Sequence, residues 1–229
     1  MKVLIVSATS FEIQPFVKHI TQHSHIDDVD IFHYKDYKIT FCYTGIGAVA
    51  AAVNITKAIA SFQPQLIVQA GIAGIFERTY PLGMLVNVVS EYQADLGAID
   101  PQTGFQDIFD LGIADENTFP YEGKLINNHS ITQLPYKIHQ ELRQLKPAIS
   151  CTVNQIMGDT NIIHSIPTES DCHVESMEGA ALHYAANSFK IPYFQVRSIS
   201  NYVEPRNKQN WKMKNAIANL NSWLIKCFN

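Results

Sequence analysis

Apolar residues in this chain fall into short near-continuous runs, separated by longer segments of helical period. That alternation is expected of a sheet packed between helices. Lys2 to Ala8 reads as a buried first strand and Phe11 to Ile20 as a short helix. Val29 to His33 and Tyr37 to Tyr43 read as a strand pair around a Lys-Asp turn, and Ala48 to Phe62 as an alanine-rich helix that can pack closely on the sheet. Leu66 to Ala70 is a further buried strand, ending in Gly71-Ile72-Ala73-Gly74, and Leu85 to Tyr92 another. Ile138 to Leu145 reads as helix, Ile149 to Met157 as strand, and the alanine-rich stretch after Glu178 as a helix with small residues on its packed side. Ile191 to Ile199 is apolar apart from Gln195, the pattern of a central parallel strand buried on both faces. In a final helix, Asn210 to Phe228, the residues Trp211, Ile217, Leu220, Leu224 and Phe228 share roughly one face.

This order predicts a single α/β domain over residues 1–229, with a mainly parallel, mixed and twisted central sheet flanked by helices. Residues 95–128 break the regularity: they are rich in glycine and proline and poor in period. An irregular segment of this length in a compact domain usually serves a site or an interface, so it is expected to be a lid or a subunit contact.

Composition narrows the partners. At 229 residues and 46% hydrophobic content the chain can bury one large core, and its net charge of -4, with no run of Lys or Arg, offers no footprint for nucleic acid. The cysteines Cys42, Cys151, Cys172 and Cys227 lie far apart without a C-x-x-C pair, which argues against a zinc site or a disulfide framework and fits reduced thiols in a cytoplasm. No histidine belongs to an H-E-x-x-H motif, and no apolar stretch approaches the roughly 18 residues of a membrane span. The expectation is a soluble cytoplasmic protein with a small-molecule partner, no metal and no cofactor.

Candidate chemistry gathers where strands end. Glu178 sits in Ser176-Met177-Glu178-Gly179-Ala180-Ala181, at the start of a helix. The helix dipole alone favours an acid there, but Met177 and Gly179 are poor helix-start residues and suit a ligand lying against the backbone. Ser198-Ile199-Ser200-Asn201 closes the Ile191 strand at the edge where ligands of open α/β sheets collect, which places Asn201 to hydrogen-bond a polar, planar group. Glu12 follows the first strand and, in a parallel sheet, reaches the same pocket. Two carboxylates with separate roles, one activating water and one binding hydroxyls, suit cleavage of a glycosidic bond through an oxocarbenium-like transition state. Thr44-Gly45-Ile46-Gly47 and Gly71-Ile72-Ala73-Gly74 let backbone approach a ligand, although neither is a dinucleotide fingerprint or a P-loop. Arg206 follows the Asn201 turn and could reach an anionic ligand tail.

These residues carry a family resemblance over nearly the whole chain. Glu12, Gly45-Ile46-Gly47, Ala70-Gly71-Ile72-Ala73-Gly74, Gly158-Asp159, the Met177-Glu178-Gly179-Ala180-Ala181 segment and Arg197-Ser198-Ile199-Ser200-Asn201 are spaced as in the purine nucleoside phosphorylase and nucleosidase superfamily. Chains of this size bearing Glu12 resemble its nucleosidases, such as those of methylthioadenosine and S-adenosylhomocysteine. Two departures separate this chain from them: Asn201 stands where those enzymes have Asp, and Asn161 where they usually have Phe. Ser200-Asn201-Tyr202-Val203, Pro205-Arg206 with Trp211, and Leu111 to Asp115 running into Phe119-Pro120-Tyr121 resemble instead the futalosine hydrolase family of the alternative menaquinone pathway.

That resemblance implies hydrolysis of an inosine-like nucleoside with release of hypoxanthine, in a homodimer or higher homo-oligomer. Adenine-nucleoside hydrolysis is the runner-up, with phosphorolysis and non-catalytic nucleoside binding behind it. It implies Glu12 as the general base, Arg197 supporting the water or Glu12, Glu178 on the ribose hydroxyls and Met177 under the sugar. Asn201 would hold the base and Ser200 orient it. Ile46 and Ile72 would line the sugar and 5′ side, Ile162 would contact the purine, and Arg206 would clamp the substrate's carboxylate.

Overall fold

Val3 and Ile5 face one side of the first strand and Leu4 and Val6 the other, and all four are completely buried. A strand buried on both faces needs a layer of helices on each, and the computed structural model, which describes residues 1–28, 30–156, 171–205 and 207–229, has both. The strands are β1 (Lys2–Ser7), β2 (His25–Asp28), β3 (Ile31–Tyr34), β4 (Tyr37–Tyr43), β5 (Leu66–Ile75) and β6 (Leu85–Gln93). They continue with β7 (Gly97–Asp100), β8 (Gly104–Asp107), β9 (Ile126–Asn127), β10 (Lys146–Thr152), β11 (Val174–Ser176) and β12 (Tyr193–Tyr202). The helices are α1 (Ser10–Gln22), α2 (Ala48–Phe62), α3 (Tyr136–Leu142), α4 (Gly179–Phe189) and α5 (Met213–Phe228).

The main sheet runs β11-β10-β6-β12-β5-β1-β4-β3-β2, with β9 on β6 and β11 also pairing with β5. Strands β4, β1, β5 and β12 are mutually parallel, as expected, so their carboxyl ends open on one edge. The other half reverses: β6 is antiparallel to β12, and β11 antiparallel to β5. One core layer joins Val3, Ile5, Val68, Phe194 and Val196 to Ile13 and Phe16 of α1, Ile138 of α3 and Leu220, Leu224 and Phe228 of α5. The opposite layer joins Leu4, Val6, Ile67 and Tyr193 to Ile55 and Ile59 of α2 and Leu182 of α4, and the small Ala51, Ala181 and Ala185 let these two helices lie close. Each large side chain removed from water stabilises the fold by about 1.5–3 kcal/mol.

Several boundaries differ from the expectation, each for a physical reason. Strand β5 runs through Gly71-Ile72-Ala73-Gly74 instead of ending there, because neighbouring side chains occupy the space a Cβ would take at both glycines. Strand β12 likewise continues through Ser200 and Asn201 across a register shift, so those residues belong to a bulged strand and not to a turn. The pair β3–β4 forms around Lys35-Asp36 as read, and the additional strand β2 precedes it. Helix α3 starts earlier and stops at Leu142, leaving Lys146-Pro147 to begin β10, which ends at Thr152; Met157 lies outside the described residues. The last helix begins at Met213, so Trp211 precedes it. Residues 95–128 are not structureless: β7 and β8 form a hairpin, and Lys124 reaches Asp107 at 2.9 Å.

One buried amide ties the helix carrying Glu12 to the last helix. Asn221 accepts from the Phe16 backbone N–H at 2.9 Å and donates to the Glu12 carbonyl at 2.8 Å, in a helix that also contains Pro15. Asn221→Ala leaves both groups without these bonds in the core, and is expected to cost about 2–4 kcal/mol. Thermal or denaturant unfolding checks this, and an unchanged midpoint would contradict the tie.

Candidate active site

The parallel strand ends bring the separated motifs to one cavity of about 420 Å³, a size suited to a small molecule. Its lining includes Glu12, Ile46, Ile72, Gly74, Met177, Glu178, Ser200 and Asn201, with Phe11, Ile156, Glu175, Trp211 and Met213. Of the expected site residues, Ile162 and Arg206 lie outside the described residues, as do Gly158, Asp159 and Asn161.

Glu12 occupies the third position of α1, where its carboxylate closes a capping box by accepting from the Thr9 backbone N–H at 3.1 Å. The same oxygen, Oε2, accepts from the hydroxyls of Ser7 at 3.1 Å and Thr9 at 3.2 Å. Oε1 accepts only the Ile72 backbone N–H at 3.0 Å among the described residues, which leaves it the oxygen with capacity for a water. The bland helix-start role and the site role therefore coexist in one side chain.

Glu178 is the N-cap of α4 and makes no cap bond to its own helix. Its Oε1 accepts instead from the backbone N–H of Gly47, the N-cap of α2, at 3.1 Å. Gly47 has φ +93°, a conformation that L side chains rarely adopt, so a glycine is needed where this backbone turns to meet the carboxylate. Glu178 Oε2 lies 3.7 Å from Arg197 Nη2, too long for a hydrogen bond but close enough for attraction between two buried charges. Burial pushes the Glu178 carboxyl up; Arg197 and the Gly47 N–H oppose this, and Glu12 adds to it.

Arg197 is 1% exposed, and its Nε and Nη2 have no hydrogen-bond partner among the described residues. It lies against Gly71, where a Cβ would fall 2.5 Å from Nη1 and 2.9 Å from Glu12 Oε1. Further along the same strand, Ser200 Oγ donates to Asn201 Oδ1 at 2.7 Å, and Asn201 Nδ2 donates to the Tyr202 carbonyl at 3.0 Å, its one hydrogen bond as a donor among the described residues. The Lys212 backbone N–H donates to the Ser200 carbonyl at 2.7 Å, which holds the segment with Trp211 over the cavity.

Sequence reasoning missed two acids. Glu175, on β11, lines the cavity, and its Oε2 is buried without a hydrogen-bond partner among the described residues. Burial, reinforced by Asp95, pushes its carboxyl up to about 7. Glu91, on β6, is completely buried behind the site and accepts from Thr152 Oγ1 at 2.8 Å and Gln195 Nε2 at 2.9 Å. Thr152 in turn accepts the Ala180 backbone N–H at 2.8 Å, so this chain of bonds fixes the start of α4 and with it Glu178. The lone polar residue Gln195 in an otherwise apolar strand was the one signal in the sequence for this buried acid.

Against this geometry, the family model described as the phosphorylase superfamily matches residues 2–228. The chain belongs to the phosphorylase superfamily. It is 24% identical over 207 residues to the aminodeoxyfutalosine nucleosidase of Campylobacter jejuni, covering 87% of this chain and 85% of that one. It is 28% identical over 160 residues to the futalosine hydrolase of Streptomyces coelicolor, covering 68% of this chain and 61% of that one. A methylthioadenosine/S-adenosylhomocysteine nucleosidase of Colwellia psychrerythraea, solved with adenine, superposes with a TM-score of 0.78 at 18% identity, over 100% of this chain and 94% of that one. The α/β fold is thus that of the superfamily's nucleosidases.

The packing around Glu91 makes an unusual demand on α4. A Cβ on Gly179 would fall 1.7 Å from Glu91 Oε1, so Gly179→Ala has to displace a buried carboxyl. Although alanine is the better helix former by about 1 kcal/mol, the variant is expected to be less stable by about 1–3 kcal/mol. A melting temperature equal to or above that of the parent would show that the contact yields freely.

Proposed function

We propose that this protein is a purine nucleoside N-glycosidase that hydrolyses futalosine to hypoxanthine and dehypoxanthine futalosine, in menaquinone biosynthesis. The N-glycosidase part is supported by superfamily membership, by the relatives' names and by the two carboxyl side chains, Glu12 and Glu178, that line one cavity, with the buried Arg197 guanidinium beside Glu178. Among the described residues the cavity lining contains no cluster of arginines to anchor a phosphate, which favours water as the acceptor. The finer choice of substrate is carried by Asn201. Its side-chain amide can donate a hydrogen bond to O6 or N7 of a 6-oxopurine and cannot act as an acid.

In this reading Glu12 takes a proton from the water through Oε1, and its four protein donors hold the carboxylate in place. Glu178 binds the ribose hydroxyls, with Met177 packed beneath the sugar. Arg197 holds the negative charge of this end in check, and Ile46 and Ile72 line the sugar and its 5′ substituent. Arg206 is assigned to the substrate's carboxylate and Ile162 to the purine from the resemblance alone. The exposed Val49 of α2 and Ile99, Ile113 and Phe119 of the 95–128 segment support a homodimer or larger homo-oligomer. Four free cysteines fit a cytoplasmic setting.

An adenine-nucleoside substrate is the second reading, favoured by relatives named methylthioadenosine/S-adenosylhomocysteine nucleosidase and by the adenine bound in the Colwellia structure. Incubating the pure protein with futalosine and with methylthioadenosine, and measuring free base, separates the two. Asn201→Asp replaces the donor by an acceptor and sets a carboxylate against O6, so kcat/KM for futalosine relative to methylthioadenosine should fall about tenfold or more, as for a buried polar mismatch of about 1–3 kcal/mol. A parent enzyme that prefers methylthioadenosine, or a ratio unmoved by the substitution, would give the base-reading role to another residue.

Glu12→Gln keeps the shape of the side chain and one of its two acceptor oxygens and removes its basicity. Turnover should fall by about 10²–10⁴-fold with KM little changed. Near-native turnover would remove Glu12 from the role of base.

A further inference from the structure

Two strands meet β5 at Gly74, one on each side. Asn201 of β12 pairs with it in parallel and Glu175 of β11 pairs with it antiparallel, so an amide and a carboxyl flank a residue that has no side chain. A Cβ on Gly74 would lie 3.2 Å from Asn201 Nδ2, so the glycine keeps this row open. Strands about 4.8 Å apart put the two flanking backbones about 10 Å from each other, enough for a planar ring between their side chains. Glu12 contacts β5 at Ile72, two residues or about 6.6 Å back along the strand. On the nucleosidase reading, Glu12 marks the sugar end of the cavity and Asn201 and Glu175 the base end.

A purine leaves most readily as a neutral molecule, which requires a proton on its ring as the glycosidic bond breaks. Asn201 has none to give. Glu12 must be ionised to act as base, and Glu178 is held by the Gly47 N–H beside Arg197 at the other end. Glu175 is a carboxyl buried at the base end, with an oxygen that meets no partner among the described residues. Resting on the nucleosidase reading, we propose that Glu175 is the general acid, passing its carboxyl proton to the imidazole-ring nitrogen of the departing purine.

The step balances without a further reactant. The bond from C1′ to N9 breaks and its electron pair passes into the purine, whose ring nitrogen takes the proton of Glu175. Water adds its oxygen to C1′ and its proton to Glu12. Glu12 then releases that proton to solvent and Glu175 regains one, restoring both carboxyl groups.

The surroundings suit this role. With its carboxyl pushed up to about 7 by burial and Asp95, Glu175 is protonated below that pH and ionised above it. From β10 it is faced by Cys151, whose thiol burial holds well above its usual range, and β5 offers only uncharged Gly74. Glu12 and Glu178 line the same cavity, with the buried Arg197 guanidinium 3.7 Å from Glu178, and His173, two residues before Glu175, lines a separate cleft with Lys146. An acid needed in its protonated form makes kcat/KM fall as pH rises through about 7.

The test compares wild type and Glu175→Gln on futalosine, methylthioadenosine and p-nitrophenyl β-D-ribofuranoside, whose leaving group departs as a stable anion. On whichever nucleoside the wild type cleaves, Glu175→Gln should lose about 10²-fold or more in kcat/KM and lose the alkaline limb. On the p-nitrophenyl riboside it should retain its rate within a few-fold, and Glu175→Asp should keep the limb on the nucleoside that the wild type cleaves. Equal losses on nucleoside and p-nitrophenyl riboside, or an alkaline limb that survives in Glu175→Gln, overturn the proposal. Should Glu175→Gln fail to fold, the wild type decides: a limb on the nucleoside that is absent on the p-nitrophenyl riboside supports Glu175, and the same limb on both overturns it. Cleavage of methylthioadenosine without futalosine sinks the substrate reading and leaves the Glu175 comparison intact. Release of base from neither overturns both.

Discussion

A guanidinium held out of water is the constraint on which this structure depends. An ion taken from water into a protein interior costs several kcal/mol even after relaxation, so Arg197 needs negative charge nearby. Glu178 supplies it at 3.7 Å, with Glu12 on the other side of Gly71. The dependence runs both ways, because burial pushes the Glu178 carboxyl up and Arg197 counters it. Placing the guanidinium between two strands then dictates Gly71, since a Cβ there would overlap Nη1. A glycine inside a strand weakens it, and here the buried pairing of β5 with β1 and β12 on either side offsets that weakness.

A second layer of polar bonds sets the angle at which this cluster is presented. Glu91 is buried behind α4 and bonded through Thr152 to the Ala180 N–H and directly to Gln195. His183, one turn further along α4, is also fully buried; burial pushes it down to about 4, so its ring is neutral and bonded to the Ile126 carbonyl. Glu178 is thus anchored through the start of its own helix, while its carboxylate is spent on Gly47 of another. Such a network keeps its members in one arrangement only while every partner is in place.

How much of this could be read from the chain follows from the range of the interactions involved. Strands β1 and β12 were legible because burial on both faces leaves near-continuous apolar runs, and α2 because its apolar residues recur at helical spacing. Glu12, Glu178 and Asn201 were legible because parallel strands deliver their ends to one edge, and the structure does gather them there. The continuation of β5 was not, since Gly-Ile-Ala-Gly reads locally as a turn and only Arg197, Asn201 and Val203 show why the glycines sit in a strand. Strand β7 has every residue exposed and so leaves no apolar period. Glu175 looks in sequence like any acid near a helix start; its burial arises because β11 pairs with both β10 and β5, partners distant along the chain.

On the proposed reading, the two ends of the cavity differ in the way glycosidic cleavage requires. At the end proposed for the sugar, the carboxyl groups of Glu12 and Glu178 stand with one guanidinium beside Glu178, an arrangement that favours the positive character that develops on a ribose ring. At the base end, the amide of Asn201 and a carboxyl that burial keeps protonated below about 7 offer hydrogen-bond donors, which favour electron density arriving on the purine. A second ionised carboxylate at the base end would oppose that density. Exchanging an aspartate for Asn201 is therefore compatible with catalysis only if acidity is supplied from elsewhere on the same row, and β11 is the strand that brings a carboxyl to it.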